Sequence, residues 1–163
     1  RTAAPGFPRL ARNGASLINL DDQIVACSAR TGKVQAKAED DEVLALSALL
    51  HEVAKGQSIA VHVPEERAAA WQARLAHGTQ LFSKRIGRIN LACVHCHEQN
   101  VGKQMRADVV SPANPTGFPI FRMSWQRLGS IERRLRACYS GVQAVLDGLL
   151  VDRPRRNILR RPK

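Results

Sequence analysis

The stretch Cys93-Val94-His95-Cys96-His97 limits this chain more than any other. Two cysteines three apart, with histidine next, form the attachment signature of a c-type haem. Each thiol can add to one vinyl group of the porphyrin, and two intervening residues let both reach the same edge. The residue after the second cysteine then points under the ring, where the imidazole of His97 can bind the iron. Structural zinc sites also use Cys-x-x-Cys, with His95 or His97 as a further ligand. No second Cys-x-x-Cys and no His-x-x-x-His follows, so the motif favours haem.

Composition agrees. Only seven of 163 residues are aromatic, few for a self-sufficient core, and a buried porphyrin would supply apolar bulk. The length suits one domain, or one and part of another. The start at Arg1, without methionine or a signal sequence, leads to the expectation of a mature protein or a fragment. No apolar run is long enough to span a membrane. Four cysteines and covalent haem suggest an oxidising compartment.

The formal net charge is +11, which first suggests nucleic acid. Its distribution weakens that reading. The stretch 151–163 carries +5, from Arg153, Arg155, Arg156, Arg160, Arg161 and Lys163 against Asp152, and reads as a disordered basic tail. The remaining +6, much of it between Arg122 and Arg136, suits an anionic substrate or an acidic partner.

In chain order, residues 1–16 are rich in Gly, Pro, Ala and Arg and read as loose. A short helix is expected from Leu17 to about Cys27. Glu42 to Lys55 is the clearest amphipathic helix: Val43, Leu46, Leu49, Leu50 and Val53 share a face, and Gly56 stops it. His51 lies beside that stripe and reads as an ordinary edge histidine. A link follows at 58–64, containing His62. Pro64, Glu65 and Glu66 open a helix running through Trp71 and Leu75 to about Ser83, with a break expected near Gly78. His77 on it reads as solvated. After His97, roughly thirty residues are expected to be loop, including the turn-dense 114–119. A final helix begins at Ser130, an N-cap, with Glu132 in its first turn. It places Ile131, Leu135, Cys138 and Val142 on one face.

Arg134 and Cys138 are four apart, hence neighbours on that helix. A nearby cation lowers a thiol's pKa, and a thiolate is both a nucleophile and an iron ligand. Arginine keeps its charge and holds an oxyanion with two donors. The pair can therefore bind iron, attack sulfur or position a sulfur oxyanion. Equally, Cys138 can be a small buried hydrophobe and Arg134 merely solvated.

The blocks Arg88-Ile-Asn-Leu-Ala-Cys-Val-His-Cys-His-Glu98, Gly102-Lys103, Gly117-Phe-Pro-Ile-Phe-Arg122, Trp125, Leu128-Gly-Ser130 and Arg133-Arg-Leu-Arg-Ala-Cys138 together resemble SoxA, the cytochrome c subunit of the periplasmic SoxAX complex. The resemblance runs from Leu17 to about Ala144. It implies that Cys93 and Cys96 carry one covalent haem c and that His97 is an axial iron ligand. It implies that Cys138 is the other axial ligand, often found as a persulfide in this family, and the catalytic sulfur. Arg134 would hold thiosulfate. The implied reaction joins thiosulfate oxidatively to a cysteine of the carrier SoxYZ, as an L-cysteine S-thiosulfotransferase, with electrons leaving through the haem of SoxX.

The expected fold is mainly α. Residues 57–150 would form a cytochrome c-like domain with extended loops around one haem. Residues 1–56 would be the remnant of a first such domain, and 151–163 the tail. SoxA proteins have two such domains, so the N-terminal one reads as truncated. The stretch after Gln143, with Val145-Leu-Asp-Gly-Leu-Leu150, reads as divergent. Cys27 matches a family cysteine that binds a first haem or forms a disulfide. With no partner for it in this chain, it is expected to be a buried free thiol. Two other readings remain. One is a simple electron-transfer cytochrome c with Met105 or Met123 as sixth ligand. The other is a zinc-bearing nucleic-acid module.

Overall fold

A computed structural model describes residues 3–11, 13–14, 16–32, 36–105 and 107–145. The stretch after Val145 and the basic tail 151–163 lie outside the described residues. Among the described residues five α-helices carry the fold: Leu20–Arg30 (α1), Asp41–Val53 (α2), Ala68–Ser83 (α3), Cys93–His97 (α4) and Ile131–Gly141 (α5). Three short antiparallel ladders join them. Arg9–Leu10 (β1) pairs with Leu17–Ile18 (β2). Gln104–Met105 (β3) pairs with Asp108–Val109 (β4). Ile120–Arg122 (β5) pairs with Arg127–Gly129 (β6). The chain is thus mainly α with little sheet, as its periodicity predicts.

Local chemistry sets the boundaries. Leu17 and Ile18 are strand rather than helix, because the helix starts only where its first turn can be capped. The extended Asn19 donates its backbone N–H to Asp22 Oδ2 at 3.1 Å. Helix α1 then passes Cys27 and ends at Arg30. Helix α3 runs through Gly78 unbroken, preceded by the 3-10 turn Glu65–Arg67. The thirty residues after His97 hold two hairpins and the 3-10 turn Pro115–Gly117 rather than pure loop.

Helix α2 is where expected, but a different face is buried. Val43, Leu44 and Ser47 point inward, while Leu46, Leu49 and Val53 are exposed. The small residues Ser47 and Ala54 are buried with this face. Ala54 packs with Ala4, Phe7 and Leu20, and Ile24 and Leu50 pack against that cluster.

The N-terminal segments are tied to the C-terminal helix by polar groups. Glu39, just before α2, accepts from Arg133 Nε at 2.7 Å and from the hydroxyl of Ser130. Arg127 donates to the Glu39 carbonyl at 2.8 Å and pairs with Asp41 at 2.6 Å. Ser130 is also the N-cap of α5, accepting the Arg133 N–H at 3.2 Å. Among the described residues, no helix is long and apolar enough to cross a membrane.

Candidate haem-binding site

Helix α4 is one short turn, held at both ends by side chains. His95 Nδ1 accepts the Ala92 N–H at 2.8 Å, acting as its N-terminal cap. Asn100 Nδ2 donates to the His95 carbonyl at 2.5 Å. His95 is thereby engaged in holding the turn. Cys93 and Cys96 are both free and half-buried on this turn.

His97 follows, and its partner comes from fourteen residues on. Gly102, at φ +80, turns the chain into the β3–β4 hairpin. Hydrogen bonds from Gly102 to the Val110 carbonyl (2.9 Å) and from Val110 to the Lys103 carbonyl (3.0 Å) close it. The returning strand sets the Ser111 carbonyl 2.8 Å from His97 Nδ1. A carbonyl can only accept, so Nδ1 carries the proton and Nε2 keeps a lone pair for a metal.

Helix α5 carries Cys138, near enough to Cys93 for the two sulfurs to feel each other's charge. Burial pushes the Cys93 thiol up from its ordinary value, and the neighbouring Cys138 and Cys96 sulfurs add repulsion. Burial, and then Cys93, push the phenol of the buried Tyr139 up as well. The end of α5 is fixed against the loop entering α4. Gly87 has φ +69, and a Cβ there would collide with the Val142 carbonyl oxygen. Only glycine allows that approach, and the Arg88 N–H donates to the Gln143 carbonyl at 3.3 Å.

Arg134 lies one turn before Cys138. Its neighbours on α5 are committed: Arg133 pairs with Glu39, and Arg136 with Glu132 at 2.5 Å. Arg134 has no carboxylate partner among the described residues. Met105 on β3 and Met123 in the β5–β6 turn are both exposed. Cys27 lies half-exposed on α1 rather than buried. It accepts from Gln23 Nε2 at 3.3 Å and Arg30 Nη2 at 3.0 Å. The Gln23 bond, helped by the Arg30 charge and opposed by slight desolvation, holds its thiol below the ordinary value.

The residues present fit a haem. Two thiols on one turn match two vinyl groups, and His97 offers a free Nε2. From residue 57 onward the hydrophobic residues buried are Ala92, Val110 and Tyr139, among the described residues. Val109, Phe121 and Met123 in the same part are open to solvent, the surface expected around an apolar ligand. A zinc site fits less well. Among the described residues, no three His, Cys, Asp or Glu side chains are grouped to hold a metal ion.

Comparison with known proteins gives the same direction. No family model matches the chain. It is 28% identical over 140 residues to the L-cysteine S-thiosulfotransferase subunit SoxA of Chlorobaculum tepidum, covering 85% of this chain and 48% of that protein. To SoxA of Allochromatium vinosum it is 29% identical, covering 85% and 50%. The chain is thus similar to SoxA over most of its own length. It spans about half the length of the curated relatives it matches. The fold agrees with a crystal structure of SoxXA from P. pantotrophus, with a TM-score of 0.72 at 24% identity over 87% of this chain and 53% of that one. The mainly helical architecture is therefore common to this chain and that solved structure.

Sequence reasoning missed Ser111, Gly87, Tyr139 and Glu39. Ser111 acts through its backbone carbonyl, which leaves no side-chain signature. Gly87 and Tyr139 matter through contacts with distant parts of the chain. Glu39 is one carboxylate among several before α2, and its partners lie more than ninety residues on.

Proposed function

We propose that this chain provides the haem-bearing, sulfur-handling part of a SoxA-type L-cysteine S-thiosulfotransferase. Cys93 and Cys96 would hold one haem c through thioether links, and His97 Nε2 and the Cys138 sulfur would bind its iron. Covalently bound, the haem supplies an outlet for electrons one at a time. The observation that carries the reading is the electrostatic influence of Cys138 on α5 upon Cys93 on α4, with Arg134, which has no carboxylate partner among the described residues, one turn before it.

The residues then divide the work. Arg134 holds the sulfonate oxygens of thiosulfate by charge-assisted hydrogen bonds. Its fork orients the terminal sulfur toward Cys138. A sulfur–sulfur bond forms between that terminal sulfur and the Cys138 thiolate, giving Cys138–S–S–SO3⁻. Two electrons are released, and SoxX takes them away. The thiolate of a SoxYZ cysteine then attacks the sulfur next to the sulfonate. The carrier leaves as carrier–S–S–SO3⁻, and Cys138 returns as thiolate. The electron count is the same when Cys138 acts as a persulfide. The reading places the protein in the periplasm.

The test uses the chain in complex with SoxX. A pyridine haemochrome assay should give one haem c per chain, and thiosulfate should couple to a SoxYZ cysteine with reduction of SoxX. Haem that extracts into acidified organic solvent would overturn the assignment of Cys93 and Cys96.

A further inference from the structure

Away from the cysteine site, the N-terminal segment and the link before α3 enclose a cleft of about 380 Å³. It shares no residue with the site around Cys93, Cys138 and Arg134. One wall is the turn at Gly6 and strand β1, the other the extended stretch 60–64 and the turn carrying Arg67. The Ala60 N–H donates to the Pro5 carbonyl at 2.8 Å and joins the two walls.

The lining is one-sided in charge. Arg9, His62 and Arg67 line it together with the apolar Leu10, Val63 and Pro64, and among the described residues no carboxylate lines it. Glu65 and Glu66 share the turn with Arg67 but are not among the lining residues. Neither guanidinium pairs with a carboxylate among the described residues. Arg9 is held in place beforehand. Its Nε donates to the Gly6 carbonyl at 3.1 Å, and its guanidinium sits 4.3 Å above the centroid of the buried Phe7 ring. A Cβ at Gly6 would come within 3.2 Å of Arg9 Nη2, so the absent side chain gives the guanidinium room. A guanidinium fixed this way loses little freedom on meeting a ligand.

We infer that this cleft binds a small tetrahedral oxyanion, of the sulfate and phosphate class, between Arg9 and Arg67. Two arginines lining one space can offer several N–H donors to oxygens arranged as in such an anion. His62 adds a hydrogen-bonding ring nitrogen. The volume exceeds that of a bare oxyanion, so an anion bearing a sulfur atom or a short apolar body also fits over Leu10 and Val63.

The experiment is an amide NMR titration of the full chain with inorganic sulfate and, separately, phosphate, against chloride at equal ionic strength. Saturable shifts should appear at Leu10, Val63 and Arg67 with the oxyanions and not with chloride. Arg9→Gln and Arg67→Gln should each weaken binding about tenfold or more, as expected for losing a charged hydrogen bond. Arg67→Lys should retain part of the affinity and guards against loss of fold. Arg134→Gln should leave these shifts unchanged, which separates this cleft from the cysteine site. Equal shifts with chloride, or undiminished binding in the folded Arg9→Gln/Arg67→Gln protein, would overturn the inference.

Discussion

His97 Nδ1 lies 2.8 Å from the carbonyl oxygen of Ser111, a contact made across the β3–β4 hairpin. It orients the imidazole and leaves Nε2 with a lone pair free for a metal. In haem-loaded protein, His97→Gln should keep both thioether links, so haem staining on denaturing gels persists. The optical spectrum should change, because the imidazole ligand is lost. Ser111→Ala should leave the spectrum unchanged and alter stability by less than about 0.5 kcal/mol, since the acceptor is main chain. A spectrum indifferent to His97→Gln would remove His97 from the iron.

Arg134 and Cys138 separate an enzyme from an electron carrier. Arg134→Ala should lower kcat/KM for thiosulfate by roughly tenfold to a hundredfold, as expected for losing a charge-assisted contact, with the haem spectrum nearly unchanged. Arg134→Lys should recover part of this, because an ammonium lacks the planar fork. Cys138→Met should keep covalent haem, change the axial-ligand signature and stop coupling to the carrier cysteine. Full coupling activity in Cys138→Met would make Cys138 a structural residue.

Glu39 joins the start of α2 to the cap of α5, through Arg133 and Ser130. Both charged partners are partly exposed, so water screens the pair. Glu39→Ala should cost roughly 1–2 kcal/mol, mostly from the hydrogen bonds it leaves unmade. Thermal unfolding should show a drop of several degrees. Arg133→Ala also removes a guanidinium lying 5.6 Å from the Trp125 ring centroid, so it should cost somewhat more. A double-mutant cycle should give a coupling above about 0.5 kcal/mol.

Asp21 supplies a pH dependence. Burial raises its carboxyl above the ordinary 3.8, and the charges of Asp22 and Glu39 add to this. Ser47 and His51 pull the other way. The fully buried Ser47 hydroxyl lies beside this carboxylate without the alignment of a full hydrogen bond. The folded protein therefore holds this proton more tightly than the unfolded chain. Its contribution to stability is present below the ordinary carboxylate range and is lost as pH rises through the raised value. Asp21→Asn should raise the melting temperature at neutral pH, and the difference from wild type should vanish in acid. A melting temperature that falls at neutral pH would show that the charged carboxylate is stabilising.

The sequence by itself determined the elements whose signals are local. The Cys-x-x-Cys-His turn, the Ser130 cap of α5 and the core of α2 depend on residues within one or two turns of each other, and periodicity and capping chemistry report them directly. The pairing of Arg134 with Cys138 on one helical face follows from 3.6 residues per turn. Tertiary structure decided what depends on partners far along the chain. It chose which face of α2 is buried, because Ser47 and Ala54 rather than Leu46 and Leu49 meet the N-terminal segments. It put Cys138 within electrostatic reach of Cys93, and seated Gly87 against Val142 where no side chain fits. It also supplied the Ser111 carbonyl to His97, since a backbone oxygen becomes specific only when a hairpin returns it to one place.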